Sequence, residues 1–351
     1  MLDYEKDYPK VLTPEVVSSL VQIYVLKGRH SVYYESHADC FCALNEITML
    51  QDVVAACRMD SVETTARSLR KLMHGGIPET PDEQEMAGYR DALLSIQDPY
   101  KELFIDSSAI LKYHGILFQY AETISGGIYR DIEHPLKEDL PKSILKGTNI
   151  AVIPPNIPAE LDHLCVNYQI ALDHHEMDPL VLIPMFLMDF FIIAPFNRGN
   201  IRMCLLLIQL LLFRAGIEDW KYASIPSLIV NSKEEFFAAL KLGADNRYRR
   251  GEKYTPFAEY LMRIILKACR QVETQATRLM RTNWSKSERI RMYIQRNNGE
   301  TTKAEIMKTF PEISQTTLER TLHEMLTKGE VEKIGGGRYT KYKKRKNVAT
   351  D

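Results

Sequence analysis

The sequence predicts a mainly α-helical protein that ends in a smaller, basic module of short helices and a hairpin. Two observations carry the helical class. Residues 181–193 and 203–213 are apolar runs separated by the short stretch Ala194-Pro195-Phe196-Asn197-Arg198-Gly199-Asn200-Ile201-Arg202. The second run is apolar on nearly every face, as in a helix at the centre of a bundle. Helix-start chemistry also recurs along the chain, first at Thr13-Pro14-Glu15 and then as three capping-box patterns, Ser285-x-x-Glu288, Thr302-x-x-Glu305 and Thr316-x-x-Glu319. A third observation separates the C-terminal module. Residues 285–346 hold 15 Lys/Arg against 8 Asp/Glu and residues 1–284 hold 30 against 37, so a formal net charge of −1 conceals a polarised chain.

Taken in order, Thr13 is a helix cap with Pro14 at the first helical position, and Val16, Val17, Leu20, Val21 and Tyr24 follow at helical spacing. The breaker cluster at 74–81 separates that region from a helix containing Glu85-Met86-Ala87-Gly88-Tyr89-Arg90-Asp91. Further helices are expected over 158–172, 236–242 and 257–281. In the C-terminal module, Leu318, Leu322, Met325 and Leu326 form the buried stripe of the third helix. Gly329-Glu330 ends it. Val331 to Ile334, the turn Gly335-Gly336-Gly337, and Arg338 to Tyr342 then form a basic hairpin. The expected division is an N-terminal helical region (1–105), a core (106–282), the C-terminal module (285–346) and a tail (347–351).

Three helices followed by a hairpin read as a winged helix-turn-helix, which makes DNA an expected partner. Gln315, Thr317, Arg320 and His323 would face base edges, and Arg338, Lys341, Lys343, Lys344, Arg345 and Lys346 would contact phosphates. The alternative for this module is protein contact or homodimerisation, with a solvated basic tail.

Other classes are disfavoured. Residues 180–196 carry Pro184 and Asp189, and the run from Met203 falls short of the ~20 apolar residues of a membrane span. No membrane partner is expected. Six cysteines show no paired metal spacing and read as buried thiols, so no metal site is expected. The polar N-terminus does not resemble a signal peptide, and a cytoplasmic location is expected.

The stretch 194–202 resembles the signature loop of the Fic family, HxFx[DE]GNGRxxR. Phe196, Gly199, Asn200 and Arg202 match, and Pro195 occupies a position where proline is frequent. Gly127-Ile128-Tyr129-Arg130 resembles the segment ahead of the family's hairpin flap, here Ile150-Ala151-Val152-Ile153, which would align a target protein. The resemblance covers roughly residues 12–260 and implies a Fic-type helical bundle with a small β-hairpin flap. It also implies AMP transfer from ATP to a protein hydroxyl, with a histidine base, an acidic metal ligand, and phosphates held by the Gly-Asn pair and two arginines.

Four positions depart from that pattern. Ala194 replaces the base, Arg198 the metal carboxylate, Ile201 a glycine and Leu205 the second arginine. Alanine cannot accept a proton, and general-base catalysis is worth about 10²–10⁴-fold. A guanidinium offers Mg²⁺ only donors. The family's inhibitory pattern [ST]xxxE[GN] aligns with Ala56, Asp60 and Ser61. Since Leu205 carries no charge for Asp60 to meet, Asp60 is expected to be a degenerate regulatory residue or simply a solvated helix residue.

The expected function is therefore that of a degenerate Fic protein that lacks ordinary AMP transfer and acts as a binding or regulatory module. The alternative is an adenylyltransferase-type enzyme with impaired or altered chemistry. No cofactor is required on this reading. ATP or another nucleotide or anion would bind without Mg²⁺ through Phe196, Arg198, Gly199, Asn200 and Arg202, unless Arg198 and Arg202 simply pair with nearby carboxylates.

Overall fold

In the computed structural model the described residues are 4–36, 38–97, 105–131, 154–246, 253–281, 285–296, 300–337 and 340–345. The helices among them are α1 (Tyr4–Val11), α2 (Pro14–Ser36), α3 (Ala38–Met59), α4 (Ala66–Met73), α5 (Pro81–Gln97), α6 (Ser107–Leu117), α7 (Ile157–Asp173), α8 (Pro179–Ile193), α9 (Asn200–Arg214), α10 (Ile225–Val230), α11 (Lys233–Asp245), α12 (Thr255–Arg281), α13 (Lys286–Arg296), α14 (Lys303–Thr309) and α15 (Gln315–Thr327). Three short strands complete the fold: β1 (Thr301–Thr302), β2 (Val331–Ile334) and β3 (Lys341–Lys344). The chain divides into one unit of residues 1–29 and 47–272 and another of residues 30–46 and 273–351. The expected flap residues Ile150, Ala151, Val152 and Ile153 lie outside the described residues, as do Arg338 and Lys346.

The first unit is organised around α8 and α9. Every residue of α9 except Arg214 is buried, and so is α8 from Leu180 to Ile193. Helices apolar all round need cover on all sides; α7 and α11 pack against α8, α5 packs against α9, and the two central helices pack on each other. Several polar groups drawn into this core pair with one another. Asp189 accepts from Tyr254 Oη at 2.7 Å, Tyr4 Oη at 3.2 Å and Lys253 Nζ at 2.9 Å. Gln209 Nε2 donates to Asp52 at 2.6 Å, and burial pushes the Asp52 carboxyl up to about 8.

Local signals account for the helix starts. Pro14 opens α2, and Val16 N–H points to Thr13 Oγ1 at 3.4 Å. Asp178 caps α8 by accepting from Leu180 N–H at 2.8 Å, and Asp106 caps α6 by accepting from Ala109 N–H at 2.7 Å. The breaker cluster falls between α4 and α5, as the sequence indicates.

In the second unit, α13, α14 and α15 pack on a three-stranded antiparallel sheet of order β1-β3-β2. Its core is Ile290, Ile294, Ile306, Phe310, Ile313, Leu318, Leu322, Met325, Val331 and Tyr342, with Leu326 partly buried against it. Two of the three capping boxes form, at Ser285/Glu288 and Thr302/Glu305. The third does not. Helix α15 starts at Gln315, capped by Ser314, whose hydroxyl accepts from Thr317 N–H at 3.3 Å. Glu319, the expected box partner of Thr316, instead takes Lys303 at 2.9 Å and Gln315 at 3.2 Å. Strand β1 had no signal beyond two β-branched threonines, and it pairs Thr301 with Tyr342.

Candidate functional site

The loop between α8 and α9 is held in place largely through its backbone. Ala194 ends α8 in the left-handed region, with φ of 44°, where a residue bearing Cβ is strained by about 1–2 kcal/mol. Arg130 holds this turn: its Nε donates to Ala194 O at 2.6 Å, its Nη2 to Ile193 O at 3.2 Å, and its backbone N–H to Pro195 O at 2.9 Å. A cation bonded to the last carbonyls of a helix satisfies orphan acceptors and faces the negative end of the dipole. This is the physical role of the arginine in Gly127-Ile128-Tyr129-Arg130.

His114 on α6 supplies a second anchor that sequence reading did not single out. Its ring stacks on Phe196 with centroids 3.6 Å apart and planes 3° from parallel. Gly127 N–H donates to His114 Nδ1 at 2.9 Å. Nε2 therefore carries the proton and donates to Arg198 O at 3.0 Å. Burial pushes His114 down to about 4, so the neutral ring that this arrangement requires is the form present near neutrality.

The loop closes on itself at the start of α9. Asn200 accepts Phe196 N–H on Oδ1 at 3.0 Å and returns Nδ2–H to Phe196 O at 2.8 Å. Gly199 precedes it with φ of +84°, and a Cβ there would stand 2.8 Å from the Phe118 ring. Glycine is thus required twice over, by conformation and by space.

The charged side chains converge below this loop. Arg202 is fully buried, with Nε on Asp60 Oδ2 at 2.5 Å, Nη2 on Glu85 Oε2 at 2.5 Å, and its guanidinium 4.9 Å from the centre of the Phe118 ring. Arg198 Nη2 reaches Glu85 Oε1 at 2.9 Å. Two guanidinium groups and two carboxylates therefore compensate one another. Burial opposes the Arg202 charge, but Asp60 and Glu85 outweigh it and hold its proton more tightly than water would.

Asp60 is the clearest correction to the sequence reading. It is not a solvated helix residue; its side chain is only 10% exposed and is ion-paired. The arginine it meets is Arg202 rather than one at position 205, where Leu205 is buried in the core. Positions 202 and 205 lie on the same side of α9, about one turn apart. Ser61 takes the left-handed conformation at φ 60°, which ends α3 and presents Asp60 to that face. Glu85, which carries no motif of its own within the α5 stretch 85–91, is the acceptor shared by both loop arginines.

The expected phosphate contacts fall into two groups. Phe196, Gly199, Asn200 and Arg202 are buried, while the Arg198 side chain is one third exposed. Arg198 and Asn197 line a cleft of about 360 Å³ with Thr123, Ser125, Ile128 and Tyr129. The residues do not fit a divalent metal: a guanidinium stands at the expected ligand position, and the nearby carboxylates are bonded to arginine. Among the described residues no group of three His, Cys, Asp or Glu side chains is arranged to hold a metal ion.

In the second unit, Gln315, Arg320 and His323 are exposed on α15 and Thr317 is half-buried. Lys344 and Arg345 are exposed and Lys343 is half-buried, whereas Lys341 pairs with Glu300 at 2.8 Å.

Comparison with known proteins agrees with this geometry. Residues 104–212 match the family model described as Fic/DOC family. A Fic family protein from Desulfovibrio desulfuricans G20 has a similar fold, with a TM-score of 0.59 at 17% identity over 97% of this chain and 98% of that one. A Fic domain-containing signaling protein from Bacteroides thetaiotaomicron VPI-5482 gives 0.59 at 18% identity, covering 73% of this chain and 98% of its own. Fic-1 from C. elegans gives 0.52 at 16%, over 75% and 74%. No curated protein matches the chain in sequence.

The buried network predicts a large cost for breaking it. Asp60→Ala is expected to lower unfolding stability by about 3–5 kcal/mol in urea denaturation, because half of the buried compensation for Arg202 is removed. Asp245→Ala, which removes an exposed pair with Lys241, is expected to leave the midpoint nearly unchanged.

Proposed function

We propose, from the premise that this chain carries a Fic/DOC-family domain across residues 104–212, that it is a binding and regulatory module and not an AMP transferase. One observation carries the reading. At the loop where transfer would need a base, a metal carboxylate and free phosphate donors, the chain has Ala194, Arg198 bonded to Glu85, and Arg202 sealed between Asp60 and Glu85. Missing functional groups could in principle be supplied by a substrate. A buried guanidinium committed to two carboxylates cannot be recruited without exposing charges that are costly to leave unpaired.

This reading also limits the ligand. A metal-free phosphate or nucleotide would approach Arg198 from the cleft beside Ser125 and Tyr129, whereas Arg202 would be out of its reach. Incubation of the full chain with labelled ATP, Mg²⁺ or Mn²⁺ and a cell lysate is expected to give no labelled protein band that depends on it. Ala194→His alone is expected to leave that result unchanged, since Arg198 and Leu205 still stand where the metal ligand and second arginine are needed. A band appearing in either sample would contradict the proposal.

The second unit supports a DNA-binding role. Its order of helix, strand, two helices and two strands suits a winged helix-turn-helix, in which α15 would enter the major groove and the β2–β3 hairpin would lie along the backbone. Gln315, Arg320 and His323 present donors and acceptors on the exposed side of α15, with Thr317 at its first turn. Electrophoretic retardation of duplex DNA is expected to weaken with salt, and Lys343→Glu with Lys344→Glu is expected to abolish it. Retardation that survived both changes would remove DNA from the account.

A further inference from the structure

A carboxyl group is buried between α3 and α9 with no charge to meet it. Thr48, Asp52, Ala56 and Met59 recur at helical spacing along the inner face of α3, and Asp52 is only 1% exposed. Its Oδ2 accepts from Gln209 Nε2 at 2.6 Å, and its Oδ1 has no hydrogen-bond partner. Gln209 is neutral and otherwise occupied, since its Oε1 faces Tyr89 Oη at 3.5 Å. The Ser224 hydroxyl ahead of α10 offsets the burial only in part, and it is bonded to Ser227 Oγ at 2.7 Å. A carboxylate is costly in such a place, whereas a protonated carboxyl is not.

Among the described residues the surroundings supply no countercharge. Tyr89 on α5 and Cys57 on α3 are held neutral by burial. Arg202, about two turns before Gln209 on α9, is committed to Asp60 and Glu85. Lys233 of α11 is spent on the Met59 carbonyl at 3.2 Å. Two clamps thus join α3 and its end to α9, running in opposite directions: Asp52 with Gln209, and Asp60 with Arg202. The second is an ion pair; the first depends on a proton. We infer that Asp52 and Gln209 form a proton-dependent clasp that holds the C-terminal end of α3, and Asp60 with it, against α9, so that acidification tightens the ion-paired site and alkaline conditions loosen it. The inference rests on the Asp60–Arg202 pair itself and holds whether or not the chain transfers AMP.

The direction follows from where the proton is held. Docked, Asp52 keeps it up to about 8; released into water, a carboxyl of this kind keeps it only to about 4. Between those values the docked form carries the extra proton, so docking weakens about tenfold for each unit that pH rises. Urea denaturation of the full chain at about pH 5 and pH 7 tests this, with Asp52→Asn as the variant that cannot ionise. Relative to that variant, the wild-type unfolding constant is expected to rise about hundredfold between the two values, and protection from hydrogen exchange over residues 47–60 to fall by the same factor. If Asp52→Asn does not fold, the carbon-13 shift of the Asp52 carboxyl in the wild-type chain decides, with a midpoint well above pH 6 expected. Equal pH dependence of the two chains, protection over 47–60 that does not follow stability, or an Asp52 carboxyl that titrates like a solvated one would each overturn the inference.

Discussion

A guanidinium placed inside a protein dictates much of what surrounds it, and Arg202 is that constraint here. Its burial is complete, so carboxylates must come to it from other elements. Asp60 arrives from the turn that ends α3 and Glu85 from α5, while Phe118, just beyond α6, covers the guanidinium face. Three stretches far apart in sequence are thus tied to the first turn of α9. The same Glu85 also takes Arg198, which couples the polar loop to the ion pair beneath it.

Around this centre the loop is shaped by contacts to its backbone. Arg130 satisfies the carbonyls at the end of α8, Asn200 closes the loop on Phe196, and His114 bridges Gly127 and Arg198. None of these interactions needs a side chain at position 194. An alanine at position 194 is therefore compatible with an intact loop, and its left-handed conformation persists because its carbonyl and amide are both bonded. The proposed change from transfer to binding follows from that separation between what shapes the loop and what would perform chemistry in it.

Much of the fold was legible from local signals. The two apolar runs marked the central helices, and Thr13-Pro14, Ser285-x-x-Glu288 and Thr302-x-x-Glu305 marked real starts because each satisfies backbone donors within a few residues. Thr316-x-x-Glu319 misled because Lys303 and Gln315 offered Glu319 other partners and Ser314 capped the helix first. The loop residues of the site were legible as a motif, but their pairing was not. Asp60 and Arg202 are 142 positions apart, and the shift from position 205 to 202 depends on helix phase and on the Ser61 turn. His114 carried no motif; only its stacking on Phe196 reveals its part.

The claim that Arg202 is an internal ion-pair partner and not a phosphate ligand is tested most directly by following its Nε–H by nitrogen-15 NMR in the full chain. The account predicts a resolved signal, slow to exchange with water and unmoved by ATP, with or without Mg²⁺. Exchange at the rate of a solvated arginine, or a saturable shift on adding ATP, would contradict it.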